Sequence, residues 1–254
     1  MIYVTSDLHG RMDCLKKLLE YVHFNEREDD WLYILGDVID RNNEGGVDIL
    51  KWLLIQFNVQ LLLGNHEQML LANRWIFQEI NQDNIDALDA KKIGLLGLWE
   101  ENGGGCTIKA LSKEPSETRQ DILDYLDDCP LIECVSVRDE NYVLVHSGLG
   151  NYSLSKKMRD YVMDELLWER PCLETKYNPE KYIVIFGHTP TSFYSEQFNN
   201  RMIKTDSWWN IDTGAAMEGG RPMLLCLDTG AEYYIEEDGS IIENNRSECG
   251  CNRG

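Results

Sequence analysis

Six short apolar segments, each followed at once by a turn rich in Asp, Asn, His and Gly, constrain the fold of this 254-residue chain more than any other feature. Near-continuous runs of Val, Ile and Leu of this length are typical of strands that are buried on both faces of a sheet. In open α/β sheets the functional crevice lies outside the carboxyl ends of the strands, so the polar turns are predicted to converge there. The segments, with their turns, are residues 2–10, 31–41, 59–67, 142–148, 182–189 and 208–215.

Helical periodicity separates the first three segments. Apolar residues recur at positions 12, 15, 18, 19 and 22, and again at 47, 50, 53, 54 and 57, so each stretch has one apolar face. A strand–helix–strand order implies right-handed crossovers and a sheet that begins with parallel strands. Further helices are predicted at about residues 66–80, 86–101 and 116–127.

The second half of the chain has a different pattern, because pairs of apolar segments are joined there by short polar turns. Two such pairs, over residues 131–146 and 223–236, are predicted hairpins. The predicted fold class is therefore α/β, with mixed β-sheets flanked by helices and an antiparallel second half. We expect a single domain over residues 1–243 and a mobile tail over residues 244–254.

Net charge limits the partners of the protein. The chain has 44 acidic against 24 basic residues, so its surface should repel nucleic acid and anionic membranes. An anionic substrate must then be attracted locally, and bound divalent cations would reverse the sign of the local field. With no signal-peptide pattern and no run of about 18 apolar residues, the chain is expected to be cytoplasmic. The sequence carries no indication of oligomeric state.

Histidines are concentrated at the ends of the apolar segments. Four of the five lie within two residues of such an end, and His23 is the exception. A single Asp, Asn or His after a strand is usually a turn former, but this joint clustering predicts a functional site. Hard oxygen ligands mixed with imidazoles, without thiolates, favour manganese, iron or zinc over calcium. The four clustered residues are His9, His66, His146 and His188.

Five motifs in a fixed order carry a resemblance to a known family. They resemble the signature series of the PPP-type serine/threonine protein phosphatases, within the calcineurin-like metallophosphoesterase superfamily. The resemblance covers about residues 1–230, and NGGG (102–105) and LLWER (166–170) are similar to the bacterial and bacteriophage branch. The five motifs are DLHG (7–10), GDVIDR (36–41), GNHE (64–67), HSG (146–148) and GHT (187–189).

The resemblance implies a dinuclear metal centre at the carboxyl ends of the strands. Asp7 and His9 would bind one ion, and Asp37 would bridge both. The ligands of the second ion would be completed by Asn65, His146 and His188. We expect two divalent ions, with manganese preferred over iron and zinc. Because Asn65 and the imidazoles are neutral, such a site would keep positive charge for a phosphoryl group.

Residues next to the implied ligands are expected to take part in catalysis. By the resemblance, a hydroxide bridging the metals is the nucleophile, and His66 protonates the leaving oxygen while Asp40 orients its ring. Arg41 resembles the phosphate-binding arginine of the family, and its planar fork suits bidentate contact with phosphoryl oxygens. The second phosphate-binding arginine is predicted to be Arg170, with Arg11 as the competing candidate.

One position departs from the family pattern. The family usually has Gly after GDVIDR, whereas this chain has Asn42. Asn tolerates left-handed backbone geometry better than other non-glycine residues, so the turn is expected to form. This departure would affect the positioning of Arg41.

Three functions can be distinguished for a chain with this set of motifs. The preferred one is a metal-dependent phosphoprotein phosphatase acting on phosphoserine and phosphothreonine monoesters in proteins or peptides, with phosphotyrosine as a further substrate. The alternative is a bis(5'-nucleosyl)-tetraphosphatase acting on dinucleoside polyphosphates, whose family tends to have GNHD instead of GNHE. The GNHE form, NGGG and LLWER favour the phosphatase. A binding module without activity would have lost a ligand or His66, and none is missing.

Overall fold

Two β-sheets form the centre of the protein. The computed structural model describes residues 1–25, 27, 29–42, 44–79, 89–178 and 180–244. The first sheet has the strand order β11-β10-β9-β1-β2-β3, and the second has the order β4-β5-β6-β8-β7. The strands are β1 (Ile2–Thr5), β2 (Trp31–Ile34), β3 (Val59–Leu61), β4 (Ile132–Val137), β5 (Glu140–Val145), β6 (Ile183–Phe186), β7 (Ile203–Lys204), β8 (Trp208–Asn210), β9 (Met223–Cys226), β10 (Glu232–Ile235) and β11 (Ile241–Asn244).

Helices cover one face of the first sheet. They are α1 (Met12–Tyr21), α2 (Val47–Leu53), α3 (Asn65–Ala72), α4 (Ala90–Glu101), α5 (Gly105–Leu111) and α6 (Ser116–Asp127). The short helix α7 (Met163–Leu167) instead contributes Leu166 to a separate apolar cluster with strands of the second sheet. One buried apolar cluster joins side chains of α1 to α6 with those of the first sheet, among them Leu15, Leu50, Leu70, Trp99 and Leu126. The predicted apolar face of α1 therefore covers the sheet, as does that of α2 up to Leu54. The prediction is wrong for Phe57, which lies beyond the end of α2 and is 86% exposed.

A second apolar cluster lies between the two sheets. From the first sheet it contains Val4 of β1 and Leu62, which directly follows β3. From the second sheet it contains Leu144 and Ile185. Strands such as β1 are thus covered by helices on one face and by a sheet on the other, which explains their near-continuous apolar sequences. The predicted α/β class, with mixed sheets flanked by helices, is confirmed.

Strand pairing agrees with the prediction in the first half of the chain and differs in the second. Strands β1, β2 and β3 pair in parallel, and the hairpins β4–β5 and β9–β10 are antiparallel, as predicted. The expectation of an antiparallel second half is wrong, because β5, β6 and β8 pair in parallel. The long connections between these strands allow crossovers, and parallel neighbours require such crossovers.

Helix boundaries differ most around the predicted helix 66–80. Helix α3 ends at Ala72 and is followed by a 3₁₀ turn over Arg74–Phe77. The start of the predicted helix 86–101 falls at residues outside the described ones, and its described part begins at Ala90. Helix α5, which begins at Gly105, the last residue of the NGGG stretch, was not predicted.

The predicted domain boundary and mobile tail stay predictions. Strand β11 extends to Asn244, and residues 245–254 lie outside the described part of the chain. Among the described helices, none combines the length and apolar character that a membrane crossing requires.

Candidate metal centre

Turns that follow five strands place the six predicted metal ligands in one buried group. Asp7 and His9 follow β1, Asp37 follows β2, and Asn65 begins α3 directly after β3. His146 follows β5 and His188 follows β6. Backbone hydrogen bonds join the turns in pairs, such as His9 N–H to the Asp37 carbonyl at 2.9 Å and Gly187 N–H to the His146 carbonyl at 2.8 Å. All six side chains are at most 8% exposed, so both sheets contribute to one enclosed site.

The backbone of these turns is strained at the candidate residues themselves. Left-handed conformations are uncommon for residues other than glycine, and they occur preferentially where function demands a special geometry. Such positive φ angles occur at Asp7 (48°), His9 (40°), Asp37 (53°), Asp40 (72°), Arg41 (68°) and His188 (66°). Six residues that the motifs indicated therefore share this conformation, although Asn65 and His146 do not, and it also occurs outside the site, for example at Arg138.

Three side-chain atoms that can each offer a lone pair converge on one side of the site. His146 Nδ1 donates to the Leu35 carbonyl at 2.7 Å, so its Nε2 carries no proton in the neutral ring. Asn65 Oδ1 lies 2.9 Å from His146 Nε2 and 2.9 Å from His188 Nδ1. Burial lowers the pKa of His146 to about 3 and lowers that of His188 further, so both rings stay neutral. Converging acceptors of this kind fit a bound cation.

Asp37 lies between this group and His9. Its Oδ1 is 3.5 Å from His146 Nε2, whereas its Oδ2 is 3.7 Å from His9 Nε2. His9 Nδ1 donates to the Ile39 carbonyl at 2.8 Å, which leaves Nε2 as the free acceptor of that ring. The two oxygens of one carboxylate thus face two separate sets of imidazoles, and this is the placement that a bridging ligand requires.

Asp7 is the second buried carboxylate among the predicted ligands, beside Asp37. Both of its carboxylate oxygens accept the His188 backbone N–H at 3.0 Å. Burial raises the pKa of Asp7 and of Asp37 well above its usual range, and the Asp212 carboxylate raises that of Asp7 further. A side chain at Gly187 would place its Cβ 1.9 Å from Asp7 Oδ2, so only glycine leaves room there. Buried carboxylates that approach one another need a compensating cation.

The residues present therefore fit divalent metal ions. Carboxylates, one amide oxygen and neutral imidazoles form groups that could each hold an ion, including Asp37 with His146 and His188. The donor atoms are those that manganese, iron and zinc accept, and no cysteine thiolate takes part among the described residues. The choice of manganese stays a prediction, as does the role of each ligand.

His66 is close to the ligands but has other partners. Its Nδ1 donates to Asp40 Oδ2 at 2.6 Å, and its Nε2 accepts a hydrogen bond from Arg41 NH2 at 3.1 Å. Geometry alone would group His66 with His9 and Asp37, because His66 Nε2 lies 3.8 Å from Asp37 Oδ2. Both ring nitrogens are thus engaged by Asp40 and Arg41, and the role of His66 in proton transfer stays a prediction.

The NGGG stretch packs against Arg41. Arg41 N–H donates to the Gly103 carbonyl at 3.2 Å, and a Cβ at Gly103 would lie 2.8 Å from Arg41 Cγ. The expectation that Asn42 would need left-handed geometry is wrong, because the left-handed residues are Asp40 and Arg41. Asn42 instead donates from Nδ2 to the Ala215 carbonyl at 3.2 Å.

The two candidates for the second arginine lie in different places. Arg170 NH1 donates to Thr189 Oγ1 at 2.9 Å, directly beside His188. Arg11 Nε donates to the Ala215 carbonyl at 3.3 Å, in the turn after β8. Arg170 therefore lies beside the turn that carries His188 and Arg11 lies in the turn that carries His9, and the choice of Arg170 for phosphoryl contact stays a prediction.

Three residues of the site were missed or underrated by sequence reasoning. Trp99 Nε1 and Thr107 Oγ1 both donate to the Asp40 carboxylate, at 2.8 and 2.5 Å. Glu67 is fully buried and accepts backbone N–H groups of Gly64 and of the turn after β2. Only the place of Glu67 inside GNHE could have indicated it; Trp99 and Thr107 carry no comparable signal.

Comparison with known proteins gives the family and a set of curated relatives. The family model described as calcineurin-like phosphoesterase matches residues 1–217. A symmetrical bis(5'-nucleosyl)-tetraphosphatase from Actinobacillus succinogenes is 39% identical over 90 residues, which cover 35% of this chain and 32% of that protein. The enzyme of the same name from Ectopseudomonas mendocina is 30% identical over 160 residues, 62% of this chain and 48% of that protein. The chain thus spans less than half the length of these relatives.

Solved structures share the fold at low identity. A putative diadenosine tetraphosphatase superposes with a TM-score of 0.56 at 19% identity, covering 96% of this chain and 92% of that chain. A protein serine/threonine phosphatase from Saccharomyces cerevisiae also reaches 0.56, at 14% identity over 96% of this chain and 78% of that chain. Identities this low establish the fold and nothing finer.

The prediction of a phosphoprotein phosphatase acting on phosphorylated proteins is wrong by these comparisons. The curated relatives bear the name of symmetrical tetraphosphatases, which was the alternative. The structure explains why the GNHE form misled: the Glu67 side chain is 0% exposed and accepts backbone N–H groups behind the site. A residue there reports on how the turns pack, not on the substrate.

The superfamily to which the motifs pointed is confirmed, whereas membership of its PPP branch is not what the curated relatives indicate. The match over residues 1–217 includes every predicted ligand, and the strand ends that carry those ligands are the ones the structure brings together. This chain therefore belongs to the calcineurin-like phosphoesterase family.

Proposed function

We propose that this chain is a metal-dependent phosphoesterase that cleaves bis(5'-nucleosyl) tetraphosphates symmetrically and releases two nucleoside diphosphates. The observation that carries the proposal is the shared name of its curated relatives, symmetrical bis(5'-nucleosyl)-tetraphosphatase. Because the alignments cover less than half of those proteins, the substrate class needs an experiment of its own.

The buried ligands would hold the cofactor of this reaction. Two divalent ions bound there would supply positive charge for the phosphoryl group and lower the pKa of the attacking water. Asp37 is placed to contact both ions, since its two oxygens face His146 and His9 separately. Neutral Asn65 Oδ1 faces the imidazoles where a further carboxylate would cancel positive charge.

His66 is the proton donor to the leaving diphosphate. In the structure its Nδ1 donates to Asp40 while its Nε2 accepts from Arg41. When the oxygens of a phosphoryl group bind the Arg41 guanidinium, the hydrogen bond from Arg41 to His66 Nε2 is released. Nε2 is then free to carry the transferred proton. The Asp40 carboxylate then stabilises the charged ring, a role worth about 10²–10⁴-fold in rate.

Arginines flank the ligands from two directions. Arg41 lies beside His66, whereas Arg170 lies beside His188, and both side chains are exposed. A tetraphosphate carries negative charge on both sides of its central bond. Two arginines, one on each side, therefore match this charge better than a single arginine would. Such local cations are needed in a protein whose formal net charge is −20.

The proposal is tested by product analysis with diadenosine tetraphosphate. The protein is stripped with a chelator, manganese is added back, and nucleotides are separated by ion-exchange chromatography. We expect ADP as the single product and no reaction in the chelator. A phosphopeptide is offered in parallel as a comparison substrate.

His66→Asn is the control for contaminating hydrolases, because it keeps the predicted ligands and removes the proton donor. Appearance of ATP with AMP would replace symmetrical by asymmetrical cleavage. If diadenosine tetraphosphate stays intact under conditions in which the phosphopeptide is turned over, the proposed function is wrong.

A further inference from the structure

Asp40 is held by side chains from a distant part of the chain. Its fully buried carboxylate accepts His66 Nδ1 at 2.6 Å and the Trp99 indole N–H at 2.8 Å, both at Oδ2. Thr107 Oγ1 donates to Oδ1 at 2.5 Å and accepts the Asp40 backbone N–H at 3.1 Å. Both carboxylate oxygens and the main chain of Asp40 are therefore fixed.

This restraint has a geometric purpose. Asp40 has a φ of 72°, a conformation that a non-glycine residue keeps only when its surroundings impose it. The direction of Oδ2 decides how the His66 ring is turned, because Nδ1 follows that oxygen and Nε2 points the opposite way. A carboxylate that could rotate would leave the ring without a defined direction.

The segment that supplies these donors is built for close approach. Trp99 and Thr107 are both 0% exposed, and they lie on either side of the junction between α4 and α5. A Cβ at Gly104 would lie 2.5 Å from Trp99 Nε1, and a Cβ at Gly45 would lie 2.5 Å from Thr107 Cα. Glycines at these positions let the junction reach the loop that carries Asp40.

We propose that Trp99 and Thr107 are positioning residues: they fix the Asp40 carboxylate so that it aims His66 Nε2 at the leaving oxygen of the substrate. The inference rests on the proposed hydrolytic function, because it gives the orientation of His66 a role in turnover. It also assigns a task to the NGGG junction, which brings both donors to Asp40.

Three variants of the full chain remove the donors with little change of shape. Trp99→Phe keeps a buried aromatic ring without the indole N–H, Thr107→Val removes the hydroxyl, and the third variant combines the two. Thr107→Ser restores a hydroxyl and is the rescue. Trp75→Phe is the matched control, because the buried Trp75 Nε1 has no hydrogen-bond partner among the described residues.

Turnover is measured with diadenosine tetraphosphate and with aryl phosphates of increasing leaving-group pKa. We expect Trp99→Phe and Thr107→Val each to lower kcat about tenfold, a part of what a positioned acid contributes, with KM and metal content unchanged. The loss should grow as the leaving group becomes poorer. Thr107→Ser and Trp75→Phe should keep the wild-type kcat.

A second readout does not depend on activity. The short hydrogen bond between His66 and Asp40 should give a downfield ring N–H signal in the ¹⁵N-histidine spectrum of the full chain free of paramagnetic metal, assigned by its loss in His66→Asn. We expect the signal to shift or broaden in the double variant and to stay in Trp75→Phe. Thermal melts establish that each variant is folded. If Trp99→Phe does not fold, Thr107→Val alone is used for the test.

The outcomes separate this inference from the proposed function. If the wild type hydrolyses aryl phosphates but no dinucleotide, the substrate class is wrong, and the aryl series still decides the inference. If the wild type hydrolyses nothing, the proposed function fails and the imidazole signal decides. Unchanged kcat together with an unchanged signal in the folded double variant would overturn the inference.

Discussion

At the scale of single residues, different atoms face the neighbours Asn65 and His66, in line with the different tasks that are predicted for them. Asn65 Oδ1 lies 2.9 Å from two imidazole nitrogens, and a cation bound there would accept a lone pair from each of these atoms. Both nitrogens of His66 have partners in Asp40 and Arg41. We therefore expect Asn65 to bind metal and His66 to transfer a proton.

Replacing His66 with Asn should therefore affect turnover alone. We expect both metals to stay bound and kcat to fall about 10²–10⁴-fold, because the proton donor is lost while the ligands remain. Metal content is measured by mass spectrometry after gel filtration, beside steady-state kinetics. A variant that lost one metal would mean that His66 is a ligand.

Replacing Asn65 with Ala should have the opposite pattern. Removal of a neutral oxygen ligand is expected to lower the affinity for one of the two metals by at least about tenfold. Even the loss of a residue that only supports a ligand has an effect of that size. Titration of the stripped protein with manganese, followed calorimetrically, measures both affinities. Two unchanged affinities would remove Asn65 from the ligand set.

At the scale of elements, the start of α3 is joined to the turn after β2 by the side chain of Glu67. Its Oε2 accepts the N–H groups of Asp37 at 2.8 Å and Gly64 at 3.0 Å, and its Oε1 accepts that of Val38 at 2.9 Å. Two elements that each carry a predicted ligand are thus held in one relative position. The distance between Asp37 and Asn65 depends on this contact.

Glu67→Gln should destabilise the metal-free protein by about 1–3 kcal/mol. A carboxylate accepts on both oxygens, whereas the amide NH₂ of Gln would face backbone N–H donors and leave them unsatisfied. The free energy of unfolding is measured in urea. Glu117→Gln, at an exposed first-turn position of α6, is the control and should cost less than about 1 kcal/mol. Equal losses in the two variants would contradict this account.

Two glycine substitutions should have opposite signs. A Cβ at Gly64 would lie 2.3 Å from Asp37 Oδ1, so Gly64→Ala is expected to cost about 1–3 kcal/mol and to weaken metal binding. A Cβ at Gly94, within α4, would meet nothing within 4 Å, so Gly94→Ala should stabilise by about 0.5–1 kcal/mol. Urea unfolding measures both, and a neutral Gly64→Ala would show that the turn can shift.

At the scale of the whole molecule, the ligands come from both sheets. Asp7, Asp37 and Asn65 follow strands of the first sheet, whereas His146 and His188 follow strands of the second. Metal ions at this position would connect the two sheets and neutralise the buried carboxylates. The stability of the folded chain should therefore depend on the metal.

Chelation is expected to lower the melting temperature by about 5–10 °C. A ligand present at 100 times its Kd stabilises the folded state by about 2.7 kcal/mol, and in a chain of this size each kcal/mol shifts Tm by about 2–4 °C. Differential scanning calorimetry with manganese or chelator measures the shift. His66→Asn should keep it and Asn65→Ala should reduce it; an equal shift in both would contradict the ligand assignment.

Local patterns made much of this protein predictable. Apolar segments that end in Asp, Asn, His and Gly indicated the strands, their ends and the atoms that converge there, because strand burial and ligand chemistry are properties of short stretches. The clustered histidines and the parallel first three strands were predicted in this way, whereas the resemblance to a known family implied Asp7 and Asp37 as ligands. The sequence by itself therefore determined the fold class and the candidate ligands.

Only the tertiary structure decided what surrounds those ligands. Trp99 and Thr107 contact Asp40 across 59 and 67 residues of chain, and Glu67 contacts Asp37 across 30. The parallel pairing of β5 with β6 likewise depends on the path of a long connection. No periodicity records such contacts, because hydrogen bonds between distant segments are set by how the elements pack and not by the residues beside them.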